Sequence, residues 1–511
     1  MPRKPARPRA RARTPARERA RDLLYTADGA PVGIVHLVAE YLPFARTGGL
    51  ADAVRGLATY QASVGIRTVV LMPLYRSARD AADRLDPVGD PFTVQVGPRA
   101  EPARLYRHVD RDGPAVYFLE HAAYFDRAGL YGERGSDYPD NARRFAFLCR
   151  AALEAMPRVA PGPQLLHAHD WHTALAPVYL RSVLRADPYA RQVAAILSVH
   201  NAGFQGHFPR ETLADIGLPK EMWDWRRMEW YGRVNFLKGG VIFADAVTTV
   251  SPTHAHELRT AAGGFGLHDA FIGLRDRLVG ITNGIDVDEW NPATDPDTVA
   301  HYSSEDFGGK ARCKAALQES FGLPVEPGTP VFGMTARLVA QKGLDIILGG
   351  ESLLASPAQF IFLGAGEARY EAALAEVARE HPERVAVEFN FSDHLEHQLM
   401  AGADMFLMPS LYEPCGLTQM RAQRYGAIPV ARRVGGLADT IEDGVTGFLF
   451  DEYTPGGLDV AIARAVDQYA DQPAWLLLAH QAMGRDFSWA RSAAKYHELY
   501  RRILDARPSG D

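Results

Sequence analysis

Residues 32–38 read Val-Gly-Ile-Val-His-Leu-Val, and residues 46–50 read Arg-Thr-Gly-Gly-Leu. The first stretch is short, apolar and rich in β-branched residues, which predicts a buried strand. Leu50, Val54 and Leu57 then fall at i, i+4 and i+7, the spacing of one helix face. The pair Gly48-Gly49 lies between strand and helix. Glycines there let backbone approach a ligand closely, and a helix N-terminus offers unpaired N–H groups and a positive dipole end. Arg46 adds a cation, so the constellation suits a diphosphate. From these residues alone, a glycine turn that holds no ligand reads equally well.

The same strand–helix alternation continues outward. Arg67–Met72, Ala115–Leu119, Leu165–His167, Val193–Val199 and Ala246–Val250 are short apolar runs, several of them separated by helical segments. A second series follows at Val331–Thr335, Phe360–Leu363, Val385–Phe389, Met405–Met408, Ile428–Ala431 and Gly447–Phe450. Alternation on this scale predicts an α/β protein with parallel sheets covered by helices on both faces. The polar, Pro-containing stretch Asp286–Asp297 separates the two series. Two doubly wound, Rossmann-like domains are therefore expected, with ligands beyond the carboxyl ends of the strands and the active site in the cleft between the domains.

The 511 residues allow two such domains, and three scattered cysteines exclude a disulfide framework or a Cys-rich zinc site. That usage fits a reducing cytoplasm. No run is long enough for a membrane helix, so no membrane partner is expected. The net charge of −6 excludes a generally basic, nucleic-acid-coating surface. The exception is local: residues 1–21 hold nine Lys/Arg and one acid, Glu18, a sum of +8, which leaves −14 on the remainder. The tail is Ala, Arg and Pro without hydrophobic periodicity, a composition that predicts disorder. It lacks the apolar core of a secretory signal, and its prolines break the amphipathic helix of an organellar one.

Polar residues cluster just past the predicted strands. His167-Ala168-His169-Asp170-Trp171-His172 packs three histidines into six residues, without the cysteines or HExxH spacing of a metal site. Ser198-Val199-His200-Asn201, with Gln205 close behind, supplies hydrogen-bonders suited to sugar hydroxyls. Arg337 and Lys342 follow the strand ending at Thr335 and could clamp a phosphate leaving group, although a solvated surface pair fits them as well. Glu413-Pro414-Cys415-Gly416-Leu417-Thr418-Gln419 follows Met405–Met408. Its carboxylate is suited to sugar hydroxyls or, alternatively, to a helix start. Gly435-Gly436 precedes another helix.

Together and in this order, these motifs resemble the bacterial and plant-plastid glycogen (starch) synthases. The resemblance runs from about Gly33 to Leu504 and rests on His167–His172, His200–Pro209, Ser251–Thr253, Asn283–Pro292, Gln341–Gly343, Glu413–Gln419 and Gly435–Thr440. It implies a GT-B type pair of Rossmann-like domains and a retaining transfer of glucose from ADP-glucose to the non-reducing 4-hydroxyl of an α-1,4-glucan. It implies the following organisation: residues 1–30 a tail, 31–285 an acceptor-side domain with the Arg46–Leu50 loop, 286–487 a nucleotide-sugar domain, and 488–511 a helix returning to the first domain. By position it gives Glu413, His169, Arg337 and Lys342 as catalytic. It gives Arg46, Gly48, Gly49, Asn283, Cys415, Gly416, Leu417 and Thr418 to the nucleotide sugar. Asp140, Asn141, His200, Asn201 and Gln205 go to the acceptor.

The sequence departs from the family at three points. Arg46 stands for the family's lysine, which keeps the charge but changes its shape and hydration. Arg421 and His254 stand where tyrosine is usual. No metal and no cofactor are expected, because the cations and helix N-termini can take the charge that develops on the leaving phosphate. Two alternatives differ in class: another two-domain retaining glycosyltransferase of maltose-1-phosphate or sucrose type, and a non-catalytic glucan-binding homologue. Retention of Glu413, Arg337 and Lys342 argues against the second.

Overall fold

The computed structural model describes Leu24 and residues 31–109, 113–162 and 164–506. The expected tail, 1–30, lies outside the described residues except for Leu24, which is buried and accepts a hydrogen bond from the Val32 N–H. The contact pattern divides the chain into two compact units. One gathers the described residues up to Leu197, Phe204–Ala246 and those from Ala493 onward; the other gathers Ser198–Gly203 and Val247–Ser492. This division groups residues 247–285 with the second unit, whereas their two strands belong to the sheet of the residues before them.

The strands of the first sheet are β1 (Gly33–Leu37), β2 (Thr68–Pro73), β5 (Ala115–Glu120), β6 (Gln164–His169) and β7 (Ala194–Val199), with β3 (Phe92–Val96) and β4 (Arg99–Val109) between β2 and β5 in the chain. Their order across the sheet is β7–β6–β1–β2–β5–β4, with β3 paired to β4. Strand β1 lies between β6 and β2, parallel to both, with Val35 opposite Leu166 and Val69. Every residue of β1 is buried, and Ile34, Val35 and Leu37 have no exposed surface. Burial on both faces explains the continuous apolar run, since each such side chain contributes roughly 1.5–3 kcal/mol when removed from water. The chain reverses its direction of progress across the sheet between β1 and β6, and that reversal is where such sheets bind ligands.

The β3–β4 hairpin is absent from the sequence reading. It is antiparallel, with Val94 and Val96 inward and Thr93 and Gln95 outward, an alternation obscured by its short length. Helix α1 (Gly49–Ser63) follows β1 and buries Leu50, Val54, Leu57 and also Gln61.

Strand β8 (Ala246–Thr249) pairs in parallel with β9 (Leu278–Gly280), and the two extend the first sheet beyond β7. A six-stranded sheet then contains β10 (Val331–Thr335), β11 (Gln359–Leu363), β12 (Val385–Glu388), β13 (Met405–Met408), β14 (Ile428–Arg432) and β15 (Phe448–Phe450). Its order is β12–β11–β10–β13–β14–β15, with every pairing parallel. Numbered along this sheet, the order is 3-2-1-4-5-6, the dinucleotide-binding arrangement, and the switch point lies between β10 and β13. Phe332, Phe360, Met405 and Ile428 fill its core from neighbouring strands. The last helix, Trp489–Asp505, has its residues from Ala493 onward in the first unit.

Candidate active site

The second unit's switch point holds the expected cations and carboxylate together. After β10 the chain passes the exposed Arg337 and reaches Lys342 through the 3₁₀ turn Ala340–Lys342. After β13 it runs through Ser410 to Glu413. The Lys342 ammonium lies 2.6 Å from Glu413 Oε2, and Ser410 donates to the same oxygen at 3.0 Å. The two loops are joined by backbone as well: Leu411 N–H donates to Gln341 O, and Gln341 Nε2 donates to Tyr412 O. Glu413 is 7% exposed, so its carboxylate is shielded yet reachable.

The Cys415–Gln419 turn is closed by one side chain. Gln419 Nε2 donates to Cys415 O, Gly416 O and Thr440 Oγ1. Gly416 takes φ +71, a conformation that a side chain would strain. Burial pushes the Cys415 thiol up to about 12, against a backbone hydrogen bond from Asn283, so the sulfur is an inert wall group. Leu417 and Thr418 are half-buried where helix Thr418–Arg424 begins. Gly435 and Gly436 pack directly on this loop. A Cβ at Gly435 would stand 2.0 Å from Glu413 O, and one at Gly436 2.1 Å from Cys415 O.

Neighbouring groups of the same unit complete the wall. Tyr412 hydrogen-bonds Asn201 and feels the Arg337 charge, though burial raises its hydroxyl above the usual range overall. His200 is half-buried, and desolvation lowers it to about 3. Thr253 donates through its N–H and hydroxyl to Asp439, while Gly435 N–H donates to Glu257. His254 pairs with Glu257 at 3.1 Å, a local role for this departure from tyrosine. Arg421 stacks 4.2 Å above the Trp290 ring and lies 3.5 Å from Glu396, so its cation is absorbed inside the unit.

The first unit's switch point carries a histidine stack. His36, at the end of β1, and His167 and His169, on β6, are all within 1% of full burial. His36 Nδ1 is 3.0 Å from His169 Nε2, and His36 Nε2 is 2.8 Å from Gln61 Oε1. The Gln61 oxygen accepts, so His36 carries its proton on Nε2 and accepts from His169 through Nδ1. The Tyr500 hydroxyl shares a 2.8 Å hydrogen bond with His167 Nδ1 and accepts from Gln61 Nε2. Burial lowers His36 to about 4, partly offset by Gln61, which keeps the ring neutral. The three imidazoles are close enough to hold a metal ion, but both ring nitrogens of His36 are already engaged.

The Arg46–Gly49 loop is held from beneath. Glu40, 3% exposed, accepts from Thr47 N–H at 2.6 Å, Thr47 Oγ1 at 2.7 Å and Tyr131 OH at 2.6 Å. Tyr131 in turn stacks on His172 at 4.4 Å. Arg46 lies 3.4 Å from Asp52 in the first turn of α1. Gly48 and Gly49 are exposed. His172 is lowered to about 3 by burial, and its Nδ1 has no hydrogen-bond partner among the described residues. That buried, unsatisfied nitrogen, missed in the sequence because three histidines looked alike, marks His172 as a second candidate in the run.

The residues expected on the acceptor side are engaged in the fold. Asp140 is clamped by both Arg127 amino groups, at 2.7 and 2.6 Å. Asn141 is buried, accepts from Arg144 and donates to Tyr131 O. Gln205 is buried and accepts from Asn235, whose own oxygen caps helix Phe236–Phe243. His36, Gln61, Glu40, Tyr131, Ser410 and Tyr412 join the candidates only through the tertiary structure. The one available signal was a histidine inside an otherwise apolar strand.

The chain is similar to known proteins over most of its length. A family model described as the starch synthase catalytic domain matches residues 33–272, and one described as glycosyl transferases group 1 matches 318–475. A glycogen synthase of Anaeromyxobacter dehalogenans is 46% identical over 93% of this chain and 100% of its own. One from Syntrophotalea carbinolica is 41% identical over 93% and 99%. The solved catalytic domain of starch synthase IV from Arabidopsis thaliana, bound to ADP and acarbose, superposes with a TM-score of 0.84 at 33% identity, covering 93% of this chain and 99% of that one.

Proposed function

The chain belongs to the glycogen and starch synthase family of glycosyltransferases, and we propose that it transfers glucose from ADP-glucose to the non-reducing 4-hydroxyl of an α-1,4-glucan, with retention. The observation that carries this reading is the Lys342–Glu413–Ser410 cluster at the switch point of the second unit, with Arg337 on the same loop as Lys342. A diphosphate leaving group needs fixed positive charge where its negative charge grows. Lys342 and Arg337 supply it, and Arg46 with the Gly48/Gly49 backbone adds to it. Lys342 is already oriented by Glu413, so little reorganisation accompanies the step.

In this reading the bond from the anomeric carbon to the β-phosphate oxygen breaks, with oxocarbenium character on the glucose. The acceptor 4-hydroxyl attacks from the same face and gives its proton to the departing phosphate oxygen, which leaves as ADP. Glu413 and His169 orient the glucose, and Cys415–Thr418 and Asn283 line the donor. Asp140, Asn141, His200, Asn201 and Gln205 serve the acceptor. Three buried, unpaired cysteines and the lack of any described helix long and apolar enough to cross a membrane support a cytoplasmic setting. The test is a transfer assay on glycogen with labelled ADP-glucose and UDP-glucose in the presence of EDTA. ADP-glucose should give the higher kcat/KM with no metal requirement; a preference for UDP-glucose rejects the donor assignment.

A further inference from the structure

Among the described residues the large exposed aromatic side chains are Phe204, Trp225, Tyr231 and Phe391, and the first three fall within 28 consecutive positions. Trp225 is 67% and Tyr231 81% exposed, values expected of charged groups rather than of rings. We propose that Trp225 and Tyr231 form a secondary platform that holds the α-glucan polymer away from its reacting end. This rests on the transferase reading above.

The local structure holds both rings outward. Glu229–Trp230 and Arg233–Asn235 form a hairpin whose two turn residues, Tyr231 and Gly232, take φ +45 and +76. Such turns favour Asn-Gly, and a bulky ring at the first position is sterically disfavoured. The tyrosine therefore is not explained by the turn it occupies. The Lys238 ammonium bonds Trp225 O at 2.5 Å and Glu229 O at 2.6 Å, which binds the Trp225 loop to the base of the hairpin.

The occupant follows from chemistry and from continuity. The rings do not stand in an apolar run: Arg226, Arg227 and Glu229 lie between them in the chain and Arg233 follows, and the Arg226 guanidinium lies 4.9 Å from the Trp225 ring centre. A protein interface core is depleted of such charges. A pyranose instead presents a C–H face to a ring and hydroxyls to planar donors, which this alternation matches. The platform is also continuous with an acceptor-side residue. Tyr231 meets Trp230 at 4.8 Å, Trp230 stacks on His207 at 4.4 Å, and Asn235 bonds both His207 and Gln205, at 3.0 and 2.6 Å. A polymer acceptor extends well past the residue that reacts, so a holding surface beside the acceptor residues gains affinity without touching the chemistry.

The full-length protein is tested with Trp225→Ala and Tyr231→Asn, separately and together. Asparagine suits the left-handed turn, so the second variant preserves the hairpin. Affinity electrophoresis in glycogen without donor should show the double variant about tenfold weaker, consistent with two lost ring contacts. KM for glycogen should rise similarly, while kcat with saturating maltotriose stays unchanged, and Tyr231→Phe should bind like the parent. Unaltered glycogen affinity overturns the platform, as does an equal loss on maltotriose. A change of oligomeric state by light scattering with glycogen binding intact would assign the rings to an interface between copies and also overturn it. If the parent binds glycogen through these rings but transfers no glucose, the platform stands and the transferase reading fails.

Discussion

Gly48→Ala separates a glycine kept for the fold from one kept for a ligand. Gly48 caps α1 with φ −165 and ψ −162, extended backbone that alanine adopts without strain. A Cβ built there meets nothing within 4 Å. Alanine is a poorer N-cap than glycine by a few tenths to about 1 kcal/mol. It also reduces the freedom of the unfolded chain, worth about 0.4–1 kcal/mol in the opposite sense. The two nearly cancel, so the melting temperature should move by no more than roughly 2 °C. The consequence for activity is larger. The methyl projects about 1.5 Å into the space a phosphate oxygen must enter to reach a backbone N–H at about 2.9 Å. A donor displaced by about 1 Å loses on the order of 10²-fold in rate. Steady-state kinetics with ADP-glucose on glycogen, alongside thermal melting, measures both quantities. Unchanged kcat/KM with unchanged melting would show that the glycine serves only the turn and would refute the donor-loop reasoning. A steep drop in melting temperature would refute the claim of open space.

Gly435→Ala should behave in the opposite way: with φ +43 and its Cβ 2.0 Å from Glu413 O, it should lower both the melting temperature and kcat, and an unaffected melt would contradict it. Lys342→Ala should lower kcat about 10²–10³-fold with little change in KM for ADP-glucose, because its charge is needed as the leaving group departs. Arg46→Lys should retain most activity and shift mainly KM; if the two variants exchange these patterns, the cation roles are reversed. His36 is held neutral by burial, with its pKa lowered to about 4, below the ordinary 6.5. The unfolded chain therefore takes up the proton first, so its contribution is complete above pH 6.5 and is lost as pH falls toward 4. That loss is on the order of 3 kcal/mol, and urea midpoints between pH 7.5 and 4 should show a slope that His36→Gln flattens.

Much of the site was legible because its chemistry is local in sequence. Arg337 and Lys342 are five residues apart on one loop, and Glu413 to Thr418 are contiguous, so each motif could be read where it stood. Their meeting was not legible. The 2.6 Å contact between Lys342 and Glu413 spans 71 positions and exists because β10 and β13 are neighbours at the sheet's switch point. The three histidines of residues 167–172 show the same limit. In sequence they are equivalent, but β6 buries His167 and His169 against His36 and leaves His172 under Tyr131.

The sequence by itself determined the class of fold and the family. Apolar runs at strand length, glycine turns after them and helical spacing beyond are short-range signals, set by backbone sterics and by burial on two faces. Tertiary structure alone decided which strands are neighbours and where the chain divides. It put His36, Gln61 and Tyr500 into one hydrogen-bonded network, with Gln61 and Tyr500 439 positions apart. Such contacts leave no periodic trace in the chain, because a buried polar group needs only one partner of the right kind, and that partner can come from any distance along the sequence.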